Sequence, residues 1–215
     1  MKGSRCGQVL VLAVLATFTL ITGCTFQSPP PVEIYTLSPG WGQSDPAPTE
    51  KKGSALIQIA LVRGSVAFTT TEILYTDKLH TQHSYAYSRW RDAPVRAMQT
   101  VLEVAVQNSG LFRAVLPPTS VSGADFLLES TLLEFGHFLG QDGSSVGVVR
   151  MRFHLLDNKS RKVVADKELV ARIPAATLDA LGATAAINQA AMQVASDLVV
   201  WLGVAMKEPS SLTFP

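Results

Sequence analysis

Cysteine is almost missing from this chain: its 215 residues include two, Cys6 and Cys24. Both fall in the first two dozen positions, so the rest of the chain has no thiol for a disulfide, a zinc site or nucleophilic catalysis. Its fold must rest on core packing alone. Charge is scarce and balanced, with 18 basic residues against 17 acidic ones. That balance gives no electrostatic argument for nucleic acid or an anionic surface. A membrane-spanning run is lacking too. The apolar stretch Val9–Ile21 meets small residues and a cysteine before reaching the ~20 residues that cross a bilayer. Neither a Gly-x-Ser-x-Gly nucleophile elbow nor a Gly-Lys-Ser or Gly-Lys-Thr phosphate loop is expected, and Gly143-Ser144-Ser145 reads as a hairpin tip.

The N-terminus holds a pattern in place of a span. Lys2 and Arg5 precede the uncharged run Val9–Ile21, as in the n- and h-regions of an export signal. Ile21-Thr22-Gly23-Cys24 then resembles the cleavage and acylation box of bacterial lipoproteins, an aliphatic residue and two small ones ahead of the cysteine. That resemblance implies removal of residues 1–23 and lipid, palmitate included, on Cys24, with several acyl chains giving stable membrane anchoring. Thr25, a residue other than Asp after the cysteine, implies sorting to the outer membrane. The expected organisation is a signal peptide at 1–23, an acylated Pro-rich tether at 24–33, one domain at 34–207 and a loose tail at 208–215.

Within the domain, Ile34–Leu37 reads as a short strand and Ser38–Ser54 as an exposed Gly/Pro/Ser/Lys loop. Ala55–Val62 is apolar on nearly both faces, which suits a central strand. Thr69–Tyr75 and Ser84–Trp90 read as a hairpin. Asp92 is placed to cap a helix in which Pro94 sits in the first turn and Val95, Met98, Leu102, Ala105 and Val106 recur at helical spacing. Asp125–Phe138, Val146–Leu156 and Lys162–Ile173 form an antiparallel meander. In its middle strand Val149, Met151, Phe153 and Leu155 alternate with Arg150, Arg152 and His154. The alanine-rich segment Ala183–Met206 steps by three and four through Ile187, Ala191, Val194, Leu198, Trp201 and Ala205. The expected fold is α+β: a two-layer domain, a largely antiparallel sheet with two amphipathic helices on one face.

The ordered set Cys24, Tyr35-Thr36-Leu37-Ser38-Pro39, Leu56–Val62, Ile73–Tyr75, Tyr85-Ala86-Tyr87-Ser88-Arg89-Trp90 and Ser109-Gly110-Leu111-Phe112 resembles the ABC-type transport auxiliary lipoproteins. The best-known member of that family is the paraquat-inducible protein C lipoprotein. The resemblance implies a non-enzymatic, outer-membrane-anchored docking component of an MCE-type ABC phospholipid transport system. Its partners would be an MCE-domain periplasmic protein with its transporter, and the membrane through the N-terminal lipid. It implies no cofactor and no nucleic acid, and it is compatible with a homo-oligomer. A stand-alone lipid-binding carrier, or an envelope lipid hydrolase assembled from scattered Ser, His and Asp, are the alternatives.

Site residues are few. Asp77, His80 and His83 read as a solvated turn, because a spacing of three on extended chain splits two imidazoles between faces. His137 and His154 lie on strands. The partner-binding candidates are Tyr85, Tyr87, Arg89 and Trp90 together with Tyr35 and Leu37. Tyr85, Tyr87 and Arg89 would share a strand face by period two while Trp90 falls on the other, so half of the cluster is open to core packing, and aromatic plus Arg is the composition of interaction hot spots.

Overall fold

The computed structural model describes residues 29–38, 53–78 and 81–207. The signal segment, Cys24, the first part of the tether, nearly all of the Ser38–Ser54 loop, His80 and the tail lie outside the described residues. From Val32 on, the described chain makes one compact unit.

The meander is its backbone. Strands β7 (Phe126–Leu139), β8 (Ser145–Asp157) and β9 (Lys162–Pro174) pair antiparallel in sequence order. Gly143, at φ 81°, turns the first hairpin and Arg161, at φ 59°, the second. Val149, Met151, Phe153 and Leu155 of β8 are fully buried, as the alternation predicts. On the opposite face Arg150 reaches both Glu134 (3.4 Å) and Glu168 (3.2 Å), and Arg152 reaches Glu168 (2.8 Å). These half-exposed pairs set the solvent side of the sheet and add little stability each.

The strands that pair with the other side of β7 run parallel to it. Its second edge carries β2 (Leu56–Ile59), β3 (Arg63–Gly64) and β4 (Glu72–Lys78) in succession, each pairing parallel. β6 (Ala114–Leu116) adds parallel to β2. β5 (Thr81–Trp90) folds back antiparallel on β4, and β1 (Glu33–Tyr35) runs parallel beside the end of β5. The nine described strands therefore form one mixed sheet in which the long ladders are antiparallel. The parallel contacts join segments far apart in the chain, which hairpin patterns do not report.

Helix α1 (Pro94–Asn108) and helix α2 (Ala180–Ala205) complete an α+β fold. Helix α1 buries Met98, Val101, Leu102 and Val106 and ends before Gly110, at φ 67°. One expectation fails at its start. The N-cap is Ala93, without a side-chain bond, and Asp92 pairs with Arg91 at 3.2 Å instead. Pro94 supplies the stop, since its missing N–H is an orphan in any first turn.

Helix α2 begins three residues earlier than its periodicity suggests, because the Asp179 carboxylate accepts the Gly182 N–H at 2.9 Å. It lies along β7, β8 and β9. Ile187, Ala191, Val194 and Leu198 are fully buried, and Trp201 is half-buried against Phe153, ring centroids 6.5 Å apart. A bulge between Leu132 and Glu134 changes which residues of β7 face this core. Leu128, Ser130 and Leu132 point inward before it, and Phe135 and His137 after it. The shift brings a histidine into the interior.

Candidate functional site

The aromatic run of β5 is not a regular strand. Glu72 pairs with Arg89, yet Leu74 pairs with Ser84, so Tyr85–Ser88 arch opposite the single residue Ile73. The Arg89 guanidinium folds back and donates to the carbonyls of Tyr85 and, at 2.8 Å, Ser88. It satisfies groups that the arch removes from the ladder. Period two fails across a bulge, and the shared face expected for Tyr85, Tyr87 and Arg89 fails with it.

Each candidate residue has its own surroundings. Trp90 is 3% exposed and stacks edge-on to Phe135, ring centroids 5.7 Å apart. Leu37 is 9% exposed. Both are core residues, Trp90 on the strand face opposite Tyr87 and Leu37 just past the end of β1, and neither is placed to touch a partner. Tyr87 stands half out in solvent at 50%. Tyr35 is partly buried, and its hydroxyl donates to Glu33 Oε2 at 2.5 Å. Tyr85 turns in, where its hydroxyl meets His137 Nδ1 at 2.8 Å.

That contact starts a chain through four elements of the fold. The His137 ring is fully buried, and its Nε2 lies 2.6 Å from Ser145 Oγ at the head of β8. The Ser145 hydroxyl in turn donates to the Thr177 carbonyl (3.4 Å), ahead of α2. Burial and the Asp179 charge push the Tyr85 phenol up to about 12, so it keeps its proton. Both ring nitrogens are thus met by hydroxyls, Nδ1 by Tyr85 and Nε2 by Ser145.

This chain of contacts bears on the hydrolase alternative. Gly143-Ser144-Ser145-Val146-Gly147 has Gly-x-Ser-x-Gly spacing, hidden by its reading as a hairpin tip, and Ser145 does meet a histidine. A nucleophilic serine needs a histidine whose other ring nitrogen is held by an orienting acceptor such as a carboxylate, whereas His137 Nδ1 meets the Tyr85 phenol. The segment also runs from a hairpin turn into a strand, not from a strand into a helix. Among the described residues the arrangement is a structural tie between β5, β7, β8 and the start of α2.

Burial holds His137 below its ordinary value of 6.5, with the Asp179 charge opposing. The unfolded chain therefore takes up a proton near pH 6.5 that the folded one still refuses. Stability is complete above that pH and falls as pH drops below it. Thermal midpoints from about pH 7.5 down to about pH 5 should decline in the wild type and flatten in His137→Gln. Equal slopes would show that the ring protonates without cost.

An open groove of about 750 Å³ runs beside this tie, lined by Glu33, Ile34, Tyr35, Tyr85, Tyr87, Asp179 and Leu181. Ile34 and Leu181 are 60% and 63% exposed, a local concentration of uncovered apolar surface. The Gly182 N–H and the Thr177 hydroxyl hold the Asp179 carboxyl below the usual range, so it is ionised. Asp179 and Leu181 escaped the sequence reading because the helix was expected to start at Ala183; an Asp ahead of an alanine-rich run was the available signal. His83 lies on β5, not in a turn, with Nε2 3.4 Å from Asp77 Oδ1. Among the described residues no three His, Cys, Asp or Glu side chains are grouped to hold a metal, and no helix is long and apolar enough to cross a membrane.

Known structures share this architecture. The chain is similar to a DUF330-family protein from Xanthomonas campestris, at 19% identity and a TM-score of 0.72 over 82% of this chain and 98% of that one. It is also similar to an uncharacterized protein of known structure, at 11% identity and a TM-score of 0.61 over 80% and 99% of the two chains. At these identities the likeness is one of fold. No curated protein matches the chain. The family model described as the ABC-type transport auxiliary lipoprotein component matches residues 35–199, from the tyrosine of β1 into the last turns of α2, and the chain belongs to that family.

Proposed function

We propose that this auxiliary lipoprotein is held to the outer membrane by lipid on Cys24, faces the periplasm, and docks onto an MCE-domain protein of an ABC phospholipid transport system. The family supplies the transport assignment. The anchor rests on Ile21-Thr22-Gly23-Cys24 and the uncharged run before it. The docking surface is the groove between β1, the β5 arch and the start of α2. The observation that carries it is Tyr87 standing half-exposed between uncovered Ile34 and Leu181, on an arch held open by Arg89. A rigid aromatic beside exposed aliphatic side chains is the composition of a binding centre. A carrier would need an enclosed apolar chamber, but the space between sheet and helices is filled by Met151, Phe153, Leu155, Ile187 and Leu198.

The test is calorimetry of the detergent-solubilised lipoprotein with the periplasmic part of the MCE protein. Tyr87→Ala should weaken binding about fivefold or more, with an unchanged circular dichroism spectrum and thermal midpoint. Unaltered affinity would remove the groove as the docking surface. No binding by the wild type would remove the transport partnership.

A further inference from the structure

The groove has a charge of one sign. Glu33 and Asp179 contribute carboxylates, Tyr35, Tyr85 and Tyr87 contribute phenol rings, and among the described residues no lysine or arginine lines it. Of the described cations close by, Arg89 is engaged with the carbonyls of Tyr85 and Ser88 and Arg91 pairs with Asp92. The effect on the phenols is visible. Tyr35 is pushed up to about 12, by its bond to Glu33 first, then by burial and by the Glu33 and Asp179 charges. Carboxylates beside aromatic faces attract an ammonium or guanidinium through both charge and ring quadrupole.

The backbone beside the groove is also uncovered. β1 pairs with β5 only at Ser88–Trp90, so among the described residues no strand lies along that side of β5 from Thr81 to Tyr87. The residues ahead of β1 are Pro29-Pro30-Pro31-Val32, and proline has no N–H to continue a ladder. An unpaired strand edge is a template for an extended peptide from another chain.

We propose that the groove receives an extended, lysine- or arginine-bearing segment of the docking partner, which lines up along β5 and places its cation between Glu33, Asp179 and the tyrosine rings. This rests on the docking reading above and names the chemistry of what docks. An acidic segment or a phosphate group is excluded by the same two carboxylates.

The experiment uses the full-length lipoprotein in detergent micelles and capped hexapeptides. Alternating Lys-Val should bind, alternating Glu-Val should not, and N-methylation of the Lys-Val backbone should weaken binding by removing its strand bonds. Affinity should fall as salt rises and drop about tenfold in Glu33→Lys. Glu33 is exposed on a three-residue edge strand, so the variant should fold, with the thermal midpoint as control. Glu33→Gln should give an intermediate loss. Binding of the Lys-Val peptide unchanged in Glu33→Lys would overturn the proposal. So would binding of phosphoethanolamine without the peptides, which would make the ligand an amine headgroup. An MCE partner that still binds Glu33→Lys normally would overturn the cation assignment and leave docking intact. A wild type that binds the Lys-Val peptide but no MCE protein would overturn the docking reading.

Discussion

Trp90→Ala is expected to destabilise the domain by about 3 to 5 kcal/mol, the cost of emptying a fully enclosed aromatic site. The side chain is 3% exposed and meets Phe135 edge-on, a geometry that adds about 0.5 to 1.5 kcal/mol beyond area. Its backbone fixes two junctions as well. Trp90 N–H donates to the Thr71 carbonyl at 2.7 Å, and Trp90 stands beside Tyr35 in the β1 register. Denaturant unfolding reads the loss directly. A change below about 1 kcal/mol would mean that the ring leaves the core in solution and is free for a partner after all. Tyr87→Ala, three residues away, should change stability by no more than about 0.5 kcal/mol while weakening partner binding. The opposed responses of two neighbours separate the folding half of this aromatic run from its recognition half.

The split of Trp90 from Tyr87 was legible, since period two puts them on opposite strand faces; the inward turn of Tyr85 was not, because it depends on the arch. A regular strand gives alternate residues one environment, and Tyr85, Tyr87 and Arg89 would then have shared a face. Four residues opposite the single Ile73, three more than a regular ladder holds, break the alternation, and nothing in Tyr85–Ser88 marks them as extra. Where strands were regular, patterning sufficed: the buried set of β8 and the Met98, Leu102 and Val106 stripe of α1 are where periodicity puts them. Parallel pairing of β2, β3 and β4 with β7 was hidden because the partners lie tens of residues apart and no turn chemistry links them. The site suffered most from this. Its tie joins Tyr85 to His137, 52 residues on, and His137 to Ser145 across a hairpin. Only the β7 bulge turns that histidine inward.

Gly147→Ala is expected to cost about 1 to 3 kcal/mol in stability and also to weaken binding in the groove. A Cβ on Gly147 would lie 2.6 Å from Ile187 N, 2.7 Å from Ala186 C and 2.8 Å from Ala186 Cβ. Two of these are helix backbone, so no rotamer relieves the clash and α2 itself must lift from β8. Helix α2 comes so close because Ala183, Ala186, Ala190 and Ala191 present little more than methyl groups to the sheet. The lift falls where function is concentrated. Gly147 pairs with His137 in the β7–β8 register, and the displaced turns lead back to Leu181 and Asp179. Raising them would lengthen the Ser145–Thr177 contact and widen the groove around Tyr87. Denaturant unfolding and calorimetry with the Lys-Val peptide on the same variant test both halves. A stability loss with unchanged peptide affinity would show that the groove keeps its shape when α2 shifts. Loss of neither would show that the helix does not ride on Gly147 as closely as 2.6 Å.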